Sequence, residues 1–142
     1  MPVETEVKDT GATGILARLG ALDLEVTIGI HETAGTYPDG TPVAAVGAAQ
    51  EFGTPTTPAR SWQRGWLDSG GQSVIANTAQ AQIVEVVDGA AAETVGKAIG
   101  EASVKGIVER MDRGIAGAGG EESRNLRDTG RLIESITFEV LP

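Results

Sequence analysis

The chain has 142 residues, with 11 lysines and arginines against 20 aspartates and glutamates, which gives a formal net charge of −9. One hydrophobic core is enough at this length, so we expect a single domain over residues 1–142. The absence of cysteine excludes disulfides and thiolate-held zinc, and a single histidine leaves little to hold a transition metal, so we predict neither metal nor cofactor.

Charge and hydropathy exclude two further classes. Carboxylates outnumber basic side chains nearly two to one, which argues against a protein that grips nucleic acid through its phosphates. No apolar run approaches the roughly 18 residues of a membrane span, and residues 1–6 lack the basic head of a signal peptide. We therefore predict a soluble protein made in a cytoplasm, with no membrane partner.

The first 60 residues predict helix, strand, loop and helix. Apolar residues at near-helical spacing predict a short helix over 9–21, and the alternation of apolar and polar residues predicts a strand over 24–30. Residues 31–40 are a loop that ends in a Pro-Asp-Gly turn. Thr41 is the predicted N-cap of a three-turn helix that ends before Gly53, with Pro42 at its first position. Its predicted common face holds Val43, Val46, Ala49 and Phe52. The prolines make 54–60 a stiff, extended loop.

The middle of the chain predicts two long helices. The first has a break at Gly70-Gly71, and the second follows the break at Asp88-Gly89. Their predicted apolar sides hold Ile75, Ala79, Ile83, Val86 and Val87 in the first helix and Val104, Ile107, Val108 and Met111 in the second. Three glycines in the second helix, Gly96, Gly100 and Gly106, would permit close helix approach, so we expect a helical hairpin.

The C-terminal region predicts a mobile segment and a final strand. The glycine-rich, polar stretch at about 114–127 cannot repay the entropy of ordering itself, so we expect it to be mobile. Asp128 is the predicted N-cap of a short turn, and residues 135–141 alternate as a strand. The predicted fold class is α+β, with a small sheet that includes the first and last strands (about 24–30 and 135–141) packed on two or more long helices.

No residue pattern predicts catalysis. His31-Glu32 could share a proton, but no second histidine or cysteine completes a catalytic constellation, so a partly exposed loop histidine is the favoured interpretation. Ser73 lacks the flanking glycine of a nucleophile elbow, and no phosphate-binding loop follows a strand. The carboxylate pairs lack the spacing of a calcium loop and are typical of a solvated acidic surface. We predict a protein with no catalytic residues and no enzymatic activity.

Two short sequence segments have patterns that the needs of an ordinary globular domain do not fully explain. The first runs from Glu51 to Arg60, where a helix end, a stiff loop and an arginine meet; an ordinary C-cap and connector is the alternative. The second is Asp128-Thr129-Gly130-Arg131-Leu132, for which a well-capped helix start is the alternative.

Four segments resemble the tail completion, or head-tail joining, proteins of long-tailed bacteriophages. They are residues 26–30 with the loop to Thr41, the helix of residues 43–54, Pro58-Ala59-Arg60, and residues 126–136, which include Asp128-Thr129-Gly130-Arg131-Leu132. Together they cover about half the chain. Ser61-Trp62-Gln63 departs from the usual Phe-Leu pair of that family, which makes Trp62 and Trp66 the candidates for packing beneath the loop.

The resemblance implies a structural virion protein that forms a ring, expected to be sixfold, where the tail meets the head connector. The implied partners are other copies of the chain, head connector or adaptor proteins, and tail terminator or tube proteins, with genomic DNA passing through the lumen without specific binding. An acidic lumen would repel phosphates and let DNA slide. The implied interface residues are Tyr37, Asp39, Glu51, Phe52, Pro58, Ala59 and Arg60, and the implied structural motif residues are Gly53, Asp128, Thr129, Gly130, Leu132 and Ser135. We expect Arg60 to contact a carboxylate or a carbonyl in its own loop or on the adjacent subunit.

Two alternative functions stay open. One is another ring of the same neck, either the tail terminator or the head-side adaptor or stopper. The other is an acidic regulator or DNA mimic that binds a basic partner, which the net charge of −9 would favour. An enzyme would have to lose activity on His31→Ala, and no other residue supports one.

Overall fold

The first and last strands of the chain pair with each other. The computed structural model describes residues 12–20, 22–127 and 130–141. Within them, β1 (Glu25–Ile30) and β2 (Ile136–Leu141) form an antiparallel two-stranded sheet. The register runs from Glu25 opposite Leu141 to Ile30 opposite Ile136. The predicted α+β class and the pairing of the two terminal strands are confirmed.

A helical hairpin lies against this sheet. Helix α4 (Gln72–Val87) packs along α5 (Glu93–Arg113), and α5 also contacts both strands. Helix α1 (Ala12–Gly20) lies on α4, and Arg18 donates hydrogen bonds to the carbonyls of Val86 and Val87 at 3.0 and 2.9 Å. These two carbonyls lie in the last turn of α4, where no further turn of the helix provides N–H donors for them. The Arg18 guanidinium provides donors instead. The predicted hairpin is confirmed.

The predicted break in the first long helix is also present. The short helix α3 (Arg64–Trp66) continues into a π-helical turn (Leu67–Gly71), which then joins α4. Gly70 has a φ of 128°, a backbone conformation that other residues rarely adopt. The chain therefore changes direction before α4 begins.

Glycines in α5 admit large side chains from other elements. A Cβ at Gly96 would meet Val140, a Cβ at Gly100 would meet the Phe138 ring, and a Cβ at Gly106 would meet the Trp66 indole. Close approach at these glycines was predicted between helices. Gly96 and Gly100 instead seat strand β2, whereas Gly106 does admit another helix, because the Trp66 indole of α3 fills the space that its missing Cβ leaves.

The core gathers residues from almost every element. Helices α2 (Val43–Phe52) and α6 (Arg131–Glu134) contribute to it, and Ile107 and Met111 of α5 lie at its centre. Its buried members are Val43, Trp62, Trp66, Ile107, Met111, Ile115, Leu126, Leu132, Ile133 and Ile136. Trp62 and Trp66, which follow Arg60, both belong to this core, and their packing beneath the loop of residues 54–60 stays a prediction.

Two details of the helix predictions are wrong. Pro42 has a ψ of 135°, so it precedes α2 in an extended conformation and Thr41 is not the N-cap. Ile83, predicted on the packed side of α4, is 37% exposed, while Val86 is fully buried. Helix α4 packs on α5 and α1 along a narrow stripe, which leaves much of its apolar surface in solvent. Within the described residues, no helix has both the length and the apolar character needed to cross a membrane.

Candidate subunit interface

Helix α2 packs through a glycine and a glutamate in addition to Val43 and the half-buried Val46. Its buried positions are Val43, Gly47 and Glu51, each four residues after the previous one. The predicted face ended at Phe52, but that side chain is 65% exposed. The prediction is therefore right for Val43 and Val46 and wrong for Phe52, and hydrophobic patterning missed Gly47 and Glu51 because neither is hydrophobic.

Three of the four segments singled out from the sequence, residues 26–41, 43–54 and 126–136, meet at Gly47. A Cβ there would meet Ile30 of β1, Trp62 after the loop, and Leu132 of α6. The Trp62 indole Nε1 donates a 2.9 Å hydrogen bond to the Gly47 carbonyl. We call these four residues the Gly47 cluster. It joins β1, α2, the chain after the loop and α6 in one packed unit.

The Glu51 carboxylate organises the chain that follows the loop. It is 3% exposed, and its oxygens accept hydrogen bonds from the Ser61 hydroxyl at 2.7 Å and the Gln63 N–H at 2.9 Å. Arg64 donates to it twice, from its backbone N–H at 3.1 Å and from Nε at 2.8 Å. Glu51 was predicted at a subunit interface, but its carboxylate is buried and hydrogen-bonded to residues of its own subunit.

These bonds make stability pH-dependent. Burial raises the pKa of Glu51, but the hydrogen bonds from Gln63, Arg64 and Ser61 together outweigh burial and hold the pKa below its ordinary value. A carboxyl with a depressed folded pKa contributes stability above its unfolded pKa of about 4.3 and loses it as the pH falls through the folded pKa. We expect Glu51→Gln to be less stable than the parent at pH 7 and the difference to shrink below about pH 4, as measured by urea unfolding across pH. A difference that stays constant down to pH 3 would contradict this assignment.

Phe52 and Arg64 form an exposed pair beside this network. The Arg64 guanidinium lies over the Phe52 ring, 4.6 Å from its centroid. Arg64 itself is 60% exposed even though its Nε bonds to Glu51. A rigid aromatic ring next to a fixed arginine is the kind of surface that dominates protein–protein contacts.

The stiff loop is tied to the rest of the chain at both ends. Gly53 has a φ of 77°, and the backbone of Ala59 lies too close to it for any side chain. The Arg60 N–H donates to the Gln50 carbonyl at 2.6 Å, which closes the loop. Residues 57–59 are half-buried, so within the loop only residues 54–56 at the tip are exposed.

Arg60 contacts a distant part of the chain. Its side chain is buried, and Nη1 donates to the Ile115 carbonyl at 3.3 Å. The predicted type of acceptor, a backbone carbonyl, is present, but it lies neither in the loop nor on another subunit. The Ala118 N–H also donates to the Ala59 carbonyl at 2.9 Å, so the loop is joined twice to the glycine-rich segment.

The glycine-rich segment 114–127 has anchored ends and an exposed tip. Ile115 and Leu126 are in the core, and Ile115 pairs with Arg124 in a single antiparallel bridge. Arg127 forms a surface ion pair with Asp112 at 2.6 Å. Residues 118–125 are exposed. Mobility of the whole segment stays a prediction, and these contacts confine it to the tip.

Tyr37 and Asp39 line a surface cleft of about 290 Å³. The opposite wall is made by Arg124, Asn125 and Leu126 of the glycine-rich segment. The Thr41 N–H donates to Asp39 Oδ1 at 2.9 Å and lowers the pKa of Asp39. Arg131 lies over the Tyr37 ring and donates to the Thr36 carbonyl. The predicted interface residues Tyr37 and Asp39 therefore lie beside the segment of residues 126–136.

The C-terminal motif is present as a short helix. Gly130 precedes α6 with a φ of 83°, Leu132 is buried, and the Ser135 hydroxyl donates to the Arg131 carbonyl at 2.6 Å. Asp128 and Thr129 lie outside the described residues, so the predicted Asp128 cap stays a prediction.

His31 is half-buried immediately after β1, and its catalytic or non-catalytic character stays a prediction. His31 Nε2 is 2.9 Å from the Thr27 hydroxyl, on the strand that precedes it. The described part of the chain holds no cluster of three histidine, cysteine or acidic side chains placed to bind a metal ion. What the described surface offers is an exposed ring, an arginine and a cleft, which suit contact with another protein.

No family model, curated protein or solved structure matches this chain.

Proposed function

We propose that the chain is a structural virion protein that forms a ring, most simply sixfold, at the head-proximal end of a bacteriophage tail and joins the tail to the head connector. In this proposal it has no enzymatic activity and resides in the virion neck after synthesis in the host cytoplasm. Its partners are further copies of itself, connector or adaptor proteins, and terminator or tube proteins.

The observation that carries the proposal is the convergence on Gly47. Segments that resemble tail completion proteins are separated by up to about 100 residues in the sequence, yet Ile30, Gly47 and Leu132 come from three of them and touch. A chance likeness in separate segments would not require them to form one packed unit. The convergence therefore supports treating these segments as one structural unit of the subunit.

The character of the surface supports an assembly role. Phe52 and Arg64 present an aromatic ring and a guanidinium to solvent, and Tyr37 and Asp39 border a cleft. A subunit that carries −9 would also line a channel with carboxylates that repel DNA phosphates.

Electron cryomicroscopy of the virus that encodes the chain tests the proposal. We expect ring-shaped density for the chain between connector and tail tube. Density on the head side of a stopper, with twelvefold symmetry, would assign it to the adaptor layer instead. Complete absence from the virion would overturn the proposal and favour the acidic regulator, which predicts salt-sensitive binding to a basic protein.

A Phe52 variant separates assembly from folding. Because Phe52 is mostly exposed, Phe52→Asp should change the free energy of unfolding by less than about 1 kcal/mol. We expect phage complemented with it to accumulate unjoined heads and tails, counted by negative-stain microscopy. Ala91→Asp adds the same charge at an exposed position before α5 and should yield joined particles. Equal yields from the two variants would remove Phe52 from the interface.

A further inference from the structure

Two helices of this acidic subunit present uncharged faces to solvent. We infer that the outer face of α2 in one copy packs against the outer face of α4 in the next copy. This inference rests on the proposed ring and names the two surfaces that would build it.

The α4 face lacks charge over most of its length. No charged residue occurs from Gln72 to Val84, a stretch of about 20 Å of helix. Val74 and Val84 are exposed, the latter by 58%. Val74, Asn77, Ala81 and Val84 recur at intervals of three, four and three residues, the spacing of a seam that receives another helix.

Helix α5 provides the contrast within the same hairpin. Its exposed side carries a ladder of alternating acid and base, four residues apart: Glu93, Lys97, Glu101, Lys105 and Glu109. Such a ladder is typical of a helix face that stays in water. Since α4 and α5 are neighbours, the absence of charge on α4 is a local property and does not follow from composition.

The α2 face is the matching surface. Ala45, Ala48 and Phe52 are exposed at intervals of three and four residues, and the only charged residue of α2 has its carboxylate buried. Small alanines allow close approach of another helix, and the Phe52 ring supplies a knob for it.

Opposite charges at the rims of the two neutral faces are the feature that points to a second copy as the occupant. Two subunits of −9 repel each other wherever their acidic surfaces face, so self-association is favoured where both faces are neutral. The rims are complementary: Arg64 stands beside Phe52, and Glu85 follows Val84. Nε of Arg64 is bonded to Glu51, while Glu85 has no ion pair among the described residues.

The two faces belong to different parts of the subunit. Helix α2 packs on β1, the turn Glu32–Ala34 and α6, whereas α4 packs on α5 and α1. A contact between different surfaces is heterologous, and a heterologous contact builds a ring when the rotation between neighbouring copies closes, as the proposed function requires.

Mixed disulfides test the contact, because the natural chain has no cysteine. Purified Phe52→Cys and Val84→Cys proteins are mixed and oxidised at high concentration. We expect a disulfide-linked dimer of one copy of each variant, and little dimer from either variant alone. The chain that carries both substitutions should give a ladder that ends at the ring number.

Controls define the outcomes. Phe52→Cys mixed with Lys105→Cys, which lies on the charged α5 face, gives the background of random collisions. Adding Glu85→Lys to the Val84→Cys protein should lower the yield about fivefold, whereas Glu101→Lys should not. A yield at background overturns the contact, and so does efficient dimerisation of Val84→Cys alone. Protection of the Val84→Cys thiol in a protein that remains monomeric also overturns it, by placing the subunit's own chain over α4. Mixed dimers support the contact whether or not the chain is found in virions, so failure of the neck assignment is distinguishable.

Discussion

Replacing Glu51 by alanine is expected to lower the free energy of unfolding by about 3 kcal/mol. The carboxylate accepts bonds from two backbone N–H groups, of Gln63 and Arg64, which would be left without an acceptor in partly buried positions. Two further donors, the Ser61 hydroxyl and Arg64 Nε, would also lose their carboxylate acceptor. In a chain of this length, we expect the thermal midpoint to fall by about 10 °C, as measured by calorimetry.

Two variants control this experiment. Glu85→Ala removes an exposed glutamate from a helix and should change stability by about 0.5 kcal/mol or less. Glu51→Gln keeps an acceptor oxygen and should lose less than Glu51→Ala. If Glu51→Ala behaved like Glu85→Ala, the carboxylate would not be what holds residues 61–64 in place.

Replacing Gly106 by alanine is expected to destabilise the protein by about 2 kcal/mol, although alanine is the better helix former. The Trp66 indole lies between two glycines: a Cβ at Gly71 would be 2.7 Å from Cε3, and a Cβ at Gly106 would be 2.7 Å from Cε2. The ring cannot retreat from one side without meeting the other. Overpacking by about 3 kcal/mol therefore exceeds the roughly 1 kcal/mol gained in helix propensity.

Urea unfolding and tryptophan fluorescence together test this prediction. Gly20→Ala is the matched control, because a Cβ there meets no atom within 4 Å. We expect Gly106→Ala to shift the emission spectrum and to lower the unfolding midpoint. Gly20→Ala should leave the spectrum unchanged and should not lower the midpoint. A Gly106→Ala protein at least as stable as the parent would mean that the indole has room to move.

Hydrophobic periodicity was enough to predict most of the fold. The alternation in β1 and β2, the helical spacing around Ile107 and Met111, and the break at Gly70 each follow from local physics that needs no knowledge of the rest of the chain. The chain has one strand near each end and helix breaks at Gly70-Gly71 and Asp88-Gly89 between them. This order leaves few arrangements other than a hairpin of helices on a small sheet.

The interior of the candidate interface could not be predicted in the same way. Gly47 and Glu51 are buried because partners brought from elsewhere in the chain fit them: an isoleucine, a tryptophan and a leucine around the glycine, and four donors around the carboxylate. Tertiary partners of this kind leave no periodic signal. A glutamate four residues after a glycine, itself four residues after a valine, was the one available hint.

The pairing of the two terminal strands has a consequence for how the chain folds. The strands that pair, Glu25–Ile30 and Ile136–Leu141, are separated by more than 100 residues, so the sheet contributes contacts of very high sequence separation. Closing a loop of that size costs entropy before any contact repays it, whereas the helical hairpin forms from neighbouring segments. During synthesis more than 100 residues therefore separate the appearance of β1 from that of its partner β2, and until then β1 can pack against the helices α2 and α5 but not against β2. We expect this long-range pairing to slow folding relative to a fold of local contacts, and to lengthen the time for which the edge of β1 is unpaired and prone to aggregation.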